Sequence, residues 1–291
     1  ERVASEDFAQ KGHSEMELQQ VRADGSVFLA ELSLSGFADA GQRKFILIVR
    51  DITEQKRVER MKTQFVSTVS HELRTPLTAI RGGLGLMVGG VAGELPVAAA
   101  KLGQIALNNA ERLARLINDL LDMQKIEANM MDFNFQKIPL SSLIADVLES
   151  NQAFAQRVGV SLLIDSDIPN QALRVDPDRF AQVMANLLSN ACKYSPQGEH
   201  VRLRLTSNKE GRVKIEVIDR GPGISANFSE RIFQKFSQAD ASDTRAKDGT
   251  GLGLTIAKEM VERMDGNISF YPNPLGGTIF FVEFPMLSVD R

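Results

Sequence analysis

The segment from Glu54 to Val88 restricts the possible folds of this chain more than any other part of the sequence. It contains no glycine before Gly82, and its apolar residues recur at gaps of three and four positions, as on one face of a helix. These positions are Val58, Met61, Phe65, Val69 and Leu73. The spacing is heptad-like, so we expect a long helix that packs in a seam of two or four helices.

A second long helix is predicted over about Val97–Ala128. Several glycines and a proline precede it and favour a turn between Gly89 and Pro96. Its apolar stripe comprises Leu102, Ile105, Leu113, Leu116, Leu120 and Met123. Two such helices joined by a short loop form a helical hairpin whose apolar face is larger than the hairpin itself covers. We therefore expect two copies of the hairpin to form a dimeric four-helix bundle.

The residues before the long helix predict a small antiparallel sheet. The segment Val27–Leu34 mixes apolar and polar residues at strand-like spacing, and Lys44–Arg50 is a mostly apolar run. Met16–Arg22 would supply the first strand. Between the first two lies the tight turn Ala23–Ser26, where Gly25 is free to adopt a positive φ. Three strands are only marginally stable alone, so this sheet needs a cover or a partner.

From about Asp132 onward, helical and strand patterns interleave. The predicted helices are Ile138–Ala155, Pro177–Tyr194 and Leu254–Met264, and the predicted strands are Val160–Ile164, Val201–Thr206, Val213–Asp219, Ile268–Tyr271 and Thr278–Phe284. Ser141 or Ser142 is the expected cap of the first helix, and Asp176 of the second. Because the last two strands follow one another as a hairpin, we predict an α/β sandwich with a mixed sheet, which makes the whole chain a multidomain α+β protein.

Composition excludes several classes of protein. The 34 basic and 37 acidic residues of the 291 nearly cancel, so bulk charge gives no case for nucleic-acid binding. Cys192 is the only cysteine and excludes an intrachain disulfide. The sequence shows neither a membrane-length apolar run nor a signal peptide. The single cysteine and the lack of such segments predict a cytoplasmic location. Because the sequence begins with Glu1, we expect a fragment of a longer protein, whose membrane association stays open.

Two glycine-rich segments flank predicted elements. Gly221 and Gly223 follow a strand, whereas Gly249, Gly251 and Gly253 precede a helix. Glycine lets backbone N–H groups approach a phosphate, and the positive end of a helix dipole favours the same anion. Neither segment is a Walker loop, and the second is not a dinucleotide fingerprint because its third glycine comes one residue early. Taken singly, each is equally compatible with an ordinary turn.

The predicted helix Pro177–Tyr194, which precedes both glycine segments, carries three polar side chains on one face. Asn186, Asn190 and Lys193 stand at positions i, i+4 and i+7. An asparagine carbonyl oxygen suits Mg²⁺, and a lysine ammonium suits a phosphate oxygen. On their own, the three residues are also compatible with a solvated helix face.

The order of these segments resembles that of the bacterial sensor histidine kinases. Residues 186–194 are similar to the family's N box, 219–224 to its G1 box, 232–236 to its F box and 249–254 to its G2 box. Together these boxes mark the Bergerat ATP-binding fold of the GHKL ATPases. Residues 65–77, on the first long helix, resemble the H box of the HisKA class, in which a histidine accepts phosphate.

Three residues of the H box are candidates for catalysis. His71 is the candidate nucleophile, because a neutral imidazole has a ring-nitrogen lone pair for attack at phosphorus. Glu72 is the candidate acceptor of the proton left on the other ring nitrogen. Thr75 lies one helical turn from His71, and the resemblance implies that it orients water for hydrolysis of a phosphorylated partner. Its alternative role is local hydrogen bonding to the backbone ahead of Pro76.

The resemblance also implies the contacts of the nucleotide. Asn190 would bind Mg²⁺, Asn186 would support the phosphate site, Lys193 would contact phosphate, Tyr194 would flank the nucleotide, and Asp219 would accept the adenine amino group. Gly221 and Gly223 would let the backbone approach the base, and Gly249, Gly251 and Gly253 would open the phosphate end. Residues 224–248 would form a lid, with Phe233 and Phe236 pinning its start to the core and Arg245 reaching the γ-phosphate.

The implied function is that of an ATP-dependent protein-histidine kinase. It would be homodimeric, use ATP and Mg²⁺, pass phosphate from His71 to a response-regulator receiver domain, and also dephosphorylate that regulator. The alternatives are a GHKL-type ATPase and a non-catalytic signalling scaffold. Whether phosphate comes from a subunit's own ATP or from its partner's stays open.

The resemblance divides the chain into three domains, residues 1–53, 54–131 and 132–291. The first is similar to the last part of a PAS sensor domain, on the strength of Asp24–Ser26 and the junction Asp51–Glu54. Its alternative is a small β appendage or dimerising cap.

Overall fold

The computed structural model describes residues 13–39, 42–91, 93–165, 171–207, 211–238 and 249–287. The chain forms two compact units, residues 1–69 and 70–291, and the long helix α1 (Thr53–Val88) belongs to both. No helix within the described ranges is both long enough and apolar enough to cross a membrane.

The first unit contains the antiparallel sheet that the sequence predicts. Strands β1 (His13–Val21), β2 (Val27–Asp39) and β3 (Gln42–Asp51) pair in that order. Gly25 turns the chain between β1 and β2 with a φ of 85°. The β3 side chains from Phe45 to Val49 are 50–60% exposed. This unit therefore carries an apolar surface that its own described residues leave uncovered.

Helix α1 begins on this sheet through hydrogen bonds made by residues at its first turn. The Thr53 N–H donates to Oδ1 of Asp51 at 2.9 Å, and the Thr53 hydroxyl accepts the Leu29 N–H at 2.9 Å. Lys56 pairs with Glu17 at 2.8 Å. These bonds connect the first turn of α1 to β1, β2 and β3.

In the second unit, α1 from Ser70 onward packs against α2 (Val97–Glu127) as the predicted hairpin. Leu77 is buried with Ala110 and Ile117, and Nη2 of Arg74 donates to Oδ1 of Asn118 at 3.1 Å. Most of the predicted stripe stays outside this contact. Leu73, Leu102, Ile105, Leu113 and Leu120 are 40–67% exposed. The hairpin thus presents the unsatisfied apolar face from which the sequence predicts a bundle.

The rest of the second unit is built on a curled mixed sheet. Its strands are β4 (Gln136–Pro139), β5 (Ser161–Ile164), β6 (Ala172–Val175), β7 (His200–Ser207), β8 (Arg212–Ile218), β9 (Asn267–Pro272) and β10 (Thr278–Leu287). Among the described residues the order is β4-β6-β10-β8-β7-β5, with β9 paired to β10. Strands β5 and β7 are parallel, and the other pairs are antiparallel. The mixed sheet agrees with the sequence-based prediction.

Helices α3 (Leu140–Val158), α4 (Pro177–Tyr194) and α6 (Gly253–Arg263) pack in the core with this sheet, and a single turn, α5 (Ala226–Ser229), precedes α6. Phe180, Leu187, Ile215, Ile256 and Phe284 are fully buried. Along β7 and β8, buried and more exposed residues alternate in part, as expected for a sheet with one covered face.

The cap predicted for α4 is confirmed, whereas the one predicted for α3 is wrong. Asp176 accepts the N–H groups of Asp178 and Arg179 at 3.0 Å each. Helix α3 instead begins after Pro139 without a side-chain cap, so neither Ser141 nor Ser142 caps it. The reason is that residues 136–139, assigned in part to a helix, form β4 and pair with β6. Both of these short strands were absent from the sequence-based prediction.

Candidate active site

Asp219 follows β8 and is the most constrained of the predicted site residues. It is 5% exposed, and its Oδ1 accepts the N–H groups of Gly221 at 2.8 Å and Thr278 at 2.9 Å. Burial raises the pKa of the Asp219 carboxyl, and the two N–H donors oppose that rise. Such a carboxylate is a fixed acceptor, which can select a ligand that offers an amino group.

Three residues of the β9–β10 hairpin hold Asp219 in place, and the sequence analysis did not identify them. Nδ2 of Asn273 donates to the Asp219 carbonyl oxygen at 2.8 Å, and Thr278 supplies the N–H described above. A Cβ at Gly277, whose φ is 99°, would lie 2.6 Å from Oδ1 of Asp219. The paired glycines before the last strand were a turn signal, but nothing local connected them to a residue about 60 positions earlier.

Gly221 and Tyr194 border Asp219. A Cβ at Gly221 would lie 3.0 Å from the Tyr194 carbonyl oxygen and 3.1 Å from Oδ1 of Asp219, so only glycine fits without displacement. Tyr194 is 40% exposed, and burial of the rest of the ring raises its pKa. The N box and the G1 box therefore meet at this point. Gly223 has a φ of 80°, which L side chains rarely adopt.

The second glycine segment packs against α4. A Cβ at Gly253 would lie 3.2 Å from Oδ1 of Asn186, whose Nδ2 donates to the Gly253 carbonyl oxygen at 3.3 Å. Gly251 has a φ of 72°, and a Cβ there would lie 2.8 Å from the Phe236 carbonyl carbon. The Gly249 carbonyl oxygen accepts Nε2 of Gln238 at 2.8 Å. The close approaches at Gly251 and Gly253 leave little room for a larger residue, whereas a Cβ at Gly249 would meet no atom closer than 4.0 Å.

The polar face of α4 is arranged as its spacing predicts. Val183, Leu187 and Ala191 are buried, whereas Asn186, Asn190 and Lys193 are partly exposed. Nζ of Lys193 lies 5.4 Å from the centre of the Tyr194 ring. Asn190 is partly exposed, and its side-chain amide oxygen has the chemistry of a Mg²⁺ ligand, so the residue fits the implied ion.

The phosphoacceptor candidate lies on the surface of α1. The side chains of His71 and Glu72 are 76% and 79% exposed, and Oε1 of Glu72 lies 3.9 Å from Nδ1 of His71. Their contact, which adjacent helical positions do not guarantee, is therefore formed. The Thr75 hydroxyl lies 3.5 Å from the His71 carbonyl oxygen, which corresponds to the local hydrogen bond considered as its alternative role.

Helix α2 contacts the sandwich through polar groups that the sequence analysis did not anticipate. Oδ2 of Asp119 accepts the Thr250 hydroxyl at 2.7 Å, and Oδ2 of Asp122 accepts Nε2 of Gln182 at 2.7 Å. Further along, Lys235 pairs with Glu127 at 2.6 Å, and Nη2 of Arg263 donates to the Ile126 carbonyl oxygen at 2.7 Å. The first of these bonds ends on the predicted phosphate segment itself.

The predicted lid is only partly described. Phe233 packs against the core, as predicted, but Phe236 is 66% exposed, so the prediction that it pins the lid is wrong. A φ of 59° at Phe236 places its backbone, rather than its ring, against Gly251. Arg245 lies outside the described residues. Cys192 is buried, as predicted, and burial raises the pKa of its thiol to about 11.

Two domain families match the two regions just described. Residues 61–129 match the His Kinase A (phospho-acceptor) domain, and residues 175–288 match the histidine kinase-, DNA gyrase B- and HSP90-like ATPase. The first region contains His71. The second contains every residue predicted for the nucleotide site.

Individual relatives carry both regions. The chain is 39% identical over 228 residues to the sensor histidine kinase WalK of Bacillus subtilis, which covers 77% of this chain and 36% of WalK. It is 34% identical to the sensor histidine kinase TmoS of Ectopseudomonas mendocina, over 79% of this chain and 24% of TmoS. The chain thus spans well under half the length of these two curated relatives.

A solved structure is similar to most of this chain. Full-length ShkA in complex with AMPPNP matches with a TM-score of 0.61 and 26% identity, over 78% of this chain and 47% of ShkA. The phosphoacceptor domain precedes the ATPase domain in this chain, and both relatives named above are sensor histidine kinases. The chain belongs to this family and contains both of its kinase domains.

Proposed function

We propose that this chain is the core of a two-component sensor histidine kinase. It transfers the γ-phosphoryl group of ATP to His71 and then to an aspartate of a response-regulator receiver domain. The observation that carries this proposal is the pairing, in one chain, of an exposed histidine beside a carboxylate with a glycine-lined site around the buried Asp219.

The contact between His71 and Glu72 supports an assignment of the two ring nitrogens. Glu72 lies on the Nδ1 side, where a carboxylate favours the N–H form of that nitrogen. Nε2 then keeps the lone pair and attacks the γ-phosphorus in line with the departing β-phosphate oxygen. An N–P bond forms, a P–O bond breaks, and ADP leaves. The positive charge on the imidazole is relieved when Glu72 accepts the Nδ1 proton.

The nucleotide would lie between the two glycine segments. In our proposal Asp219 accepts the adenine amino group, Tyr194 flanks the base, and Lys193 contacts phosphate. Asn186 supports the segment from Gly249 to Gly253 through its bond to the Gly253 carbonyl. Asn190 is the residue that would hold Mg²⁺, which neutralises phosphate charge when bound. Arg245 is proposed for the γ-phosphate on the family resemblance alone.

The exposed apolar stripe of the hairpin supports a homodimer through a four-helix bundle. The receiver domain would dock beside His71, and Thr75 would act in dephosphorylation of that regulator. For the first unit, we propose a PAS-like segment, for which the three-stranded sheet and its uncovered apolar surface are the support. The domain boundaries after residues 53 and 131 are part of the same proposal.

The experiment that tests this function is labelling with ATP that carries a radioactive γ-phosphate. The wild-type chain should acquire an acid-labile, alkali-stable label, and the His71→Ala and Asn190→Asp variants should not. Release of labelled phosphate into water with no protein label would instead favour the GHKL-type ATPase. Absence of both label and nucleotide binding would favour the non-catalytic scaffold.

A further inference from the structure

Asp119 of α2 reaches the segment that is proposed to hold the ATP phosphates. Its Oδ2 accepts the hydroxyl proton of Thr250 at 2.7 Å, and that hydroxyl in turn accepts the Leu252 N–H at 3.2 Å. Thr250 stands between Gly249 and Gly251. A side chain of the helical hairpin is therefore hydrogen-bonded to the phosphate end of the nucleotide site, 131 positions along the chain.

The bond between Asp119 and Thr250 occupies hydrogen-bond donors that a bound phosphate would need. Phosphate sites at helix N-termini are made from backbone N–H groups and nearby hydroxyls. Here the Thr250 hydroxyl donates to Asp119, and the Leu252 N–H, directly before α6, donates to Thr250. Both donors are thus directed within the protein while α2 is docked.

The negative charge of Asp119 also opposes the binding of phosphate at this segment. A carboxylate and a triphosphate repel one another, and the repulsion is strong where solvent is partly excluded. Asp119 is half-buried and lies directly against Thr250 of this segment. In the docked arrangement, negative charge therefore lies beside the segment where the phosphates of ATP would bind.

We propose that Asp119 is an internal competitor of the triphosphate. In the docked state it holds Thr250 and lowers the affinity of the site for phosphates, and bound ATP releases the segment from α2. This inference rests on the proposed function, because it assumes that residues 249–253 hold the phosphates. It adds a regulatory contact: signals that move α2 change the affinity for ATP through one carboxylate.

The test is calorimetric titration of the full chain with AMPPNP in the presence of Mg²⁺, and separately with adenosine. Asp119→Ala should bind AMPPNP about tenfold more tightly than wild type, since a charge-assisted hydrogen bond and a like-charge contact are both removed. Adenosine, which has no phosphate, should bind equally to both proteins. Asp119→Asn keeps an acceptor for Thr250 without the charge, so its affinity for AMPPNP should be intermediate.

Asp122→Ala is the matched control. It removes a bond of equal length, 2.7 Å, from the same helix, but that bond ends on Gln182 rather than on the glycine segment. We expect its affinity for AMPPNP to stay within about twofold of wild type. Circular dichroism on each variant establishes that the fold is retained.

Three results would contradict the proposal that Asp119 competes with the triphosphate. The first is an unchanged or weaker affinity of Asp119→Ala for AMPPNP. The others are an equal rise in its affinity for adenosine and an equal rise in the affinity of Asp122→Ala for AMPPNP. A wild-type chain that binds neither AMPPNP nor adenosine would overturn the proposed function itself, and the competition with it.

Discussion

Oε1 of Glu72 lies 3.9 Å from Nδ1 of His71, and both side chains project from α1 into solvent. The contact leaves the opposite ring nitrogen, Nε2, free to face a phosphoryl donor. It also places a proton acceptor beside the ring on which the proposed attack at phosphorus would generate positive charge.

Replacing Glu72 by glutamine should slow phosphorylation of His71 without preventing it. The amide keeps the size of the side chain but is a far weaker proton acceptor, and general-base catalysis contributes roughly a hundredfold or more. The measurement is the single-turnover rate of labelling at saturating ATP. Glu59→Gln, an exposed carboxylate on the same helix, is the control and should label at the wild-type rate. An unchanged rate in Glu72→Gln would show that the proton leaves by another route.

Gly277→Ala should disrupt the nucleotide site through Asp219. A Cβ at Gly277 would lie 2.6 Å from Oδ1 of Asp219, in a backbone with a φ of 99°. Strain and overpacking together should lower the free energy of unfolding by about 3 kcal/mol. Nucleotide affinity, measured by calorimetry, should fall at least tenfold, because the carboxylate is displaced.

Gly276→Ala provides the control for this prediction. Gly276 also has a positive φ, 91°, but a Cβ there would meet no heavy atom within 4 Å. It should therefore cost about 1 kcal/mol of strain and leave nucleotide affinity unchanged. Equal losses of affinity in the two variants would mean that the hairpin does not act through Asp219.

Asp219→Asn should reduce the preference of the nucleotide site for ATP over GTP. Loss of the carboxylate should weaken ATP binding at least tenfold relative to wild type, while GTP, which lacks the adenine amino group, should bind the variant no worse. Competition titrations with the two nucleotides measure this difference. A variant that still prefers ATP by the wild-type factor would exclude Asp219 as the residue that recognises the base.

The same substitution should change how the stability of the protein depends on pH. Burial raises the folded-state pKa of Asp219 above its ordinary value of 3.8. The stability supplied by the protonated carboxyl is therefore present below pH 3.8 and is lost as the pH rises through the folded-state pKa. Asparagine stays neutral, so the melting temperature of the variant should exceed that of wild type at neutral pH, and the advantage should disappear in acid.

Cys192 should be unreactive in the native protein. It is 2% exposed, and burial raises the pKa of the thiol to about 11, so very little thiolate exists at pH 8. An aromatic disulfide reagent should titrate less than a tenth of the thiol over minutes in native buffer and one full equivalent in denaturant. Fast native reaction would mean that the face of α4 against the sheet opens readily.

The parts of the fold that were predictable depend on local chemistry. Asp176 followed by Pro177 marks the start of α4 because a cap and a restricted φ act within one turn. The prediction that Ser141 or Ser142 caps α3 was wrong because the short strand before α3 forms by pairing with β6. The local sequence does not encode that pairing. Long, periodic α1 and α2 were recognisable from their apolar spacing alone.

The site was predictable only up to the residues that the family boxes contain. Asp219 was identified, but its supports, Asn273, Gly277 and Thr278, reach it through the register of β8 and β10. The bond between Asp119 and Thr250 likewise arises from packing of a helix on a loop. Such contacts depend on tertiary geometry, and no spacing in the sequence indicates them.

The central claim is that the γ-phosphoryl group of ATP is transferred to the imidazole of His71. The direct measurement is site mapping by mass spectrometry, under alkaline conditions that preserve N–P bonds, after the wild-type chain has been incubated with ATP and Mg²⁺. We predict a single phosphoryl group on the peptide that contains His71, carried by the imidazole. Phosphate on His13 or His200, on a hydroxyl side chain, or on no residue while ATP is consumed would contradict the account.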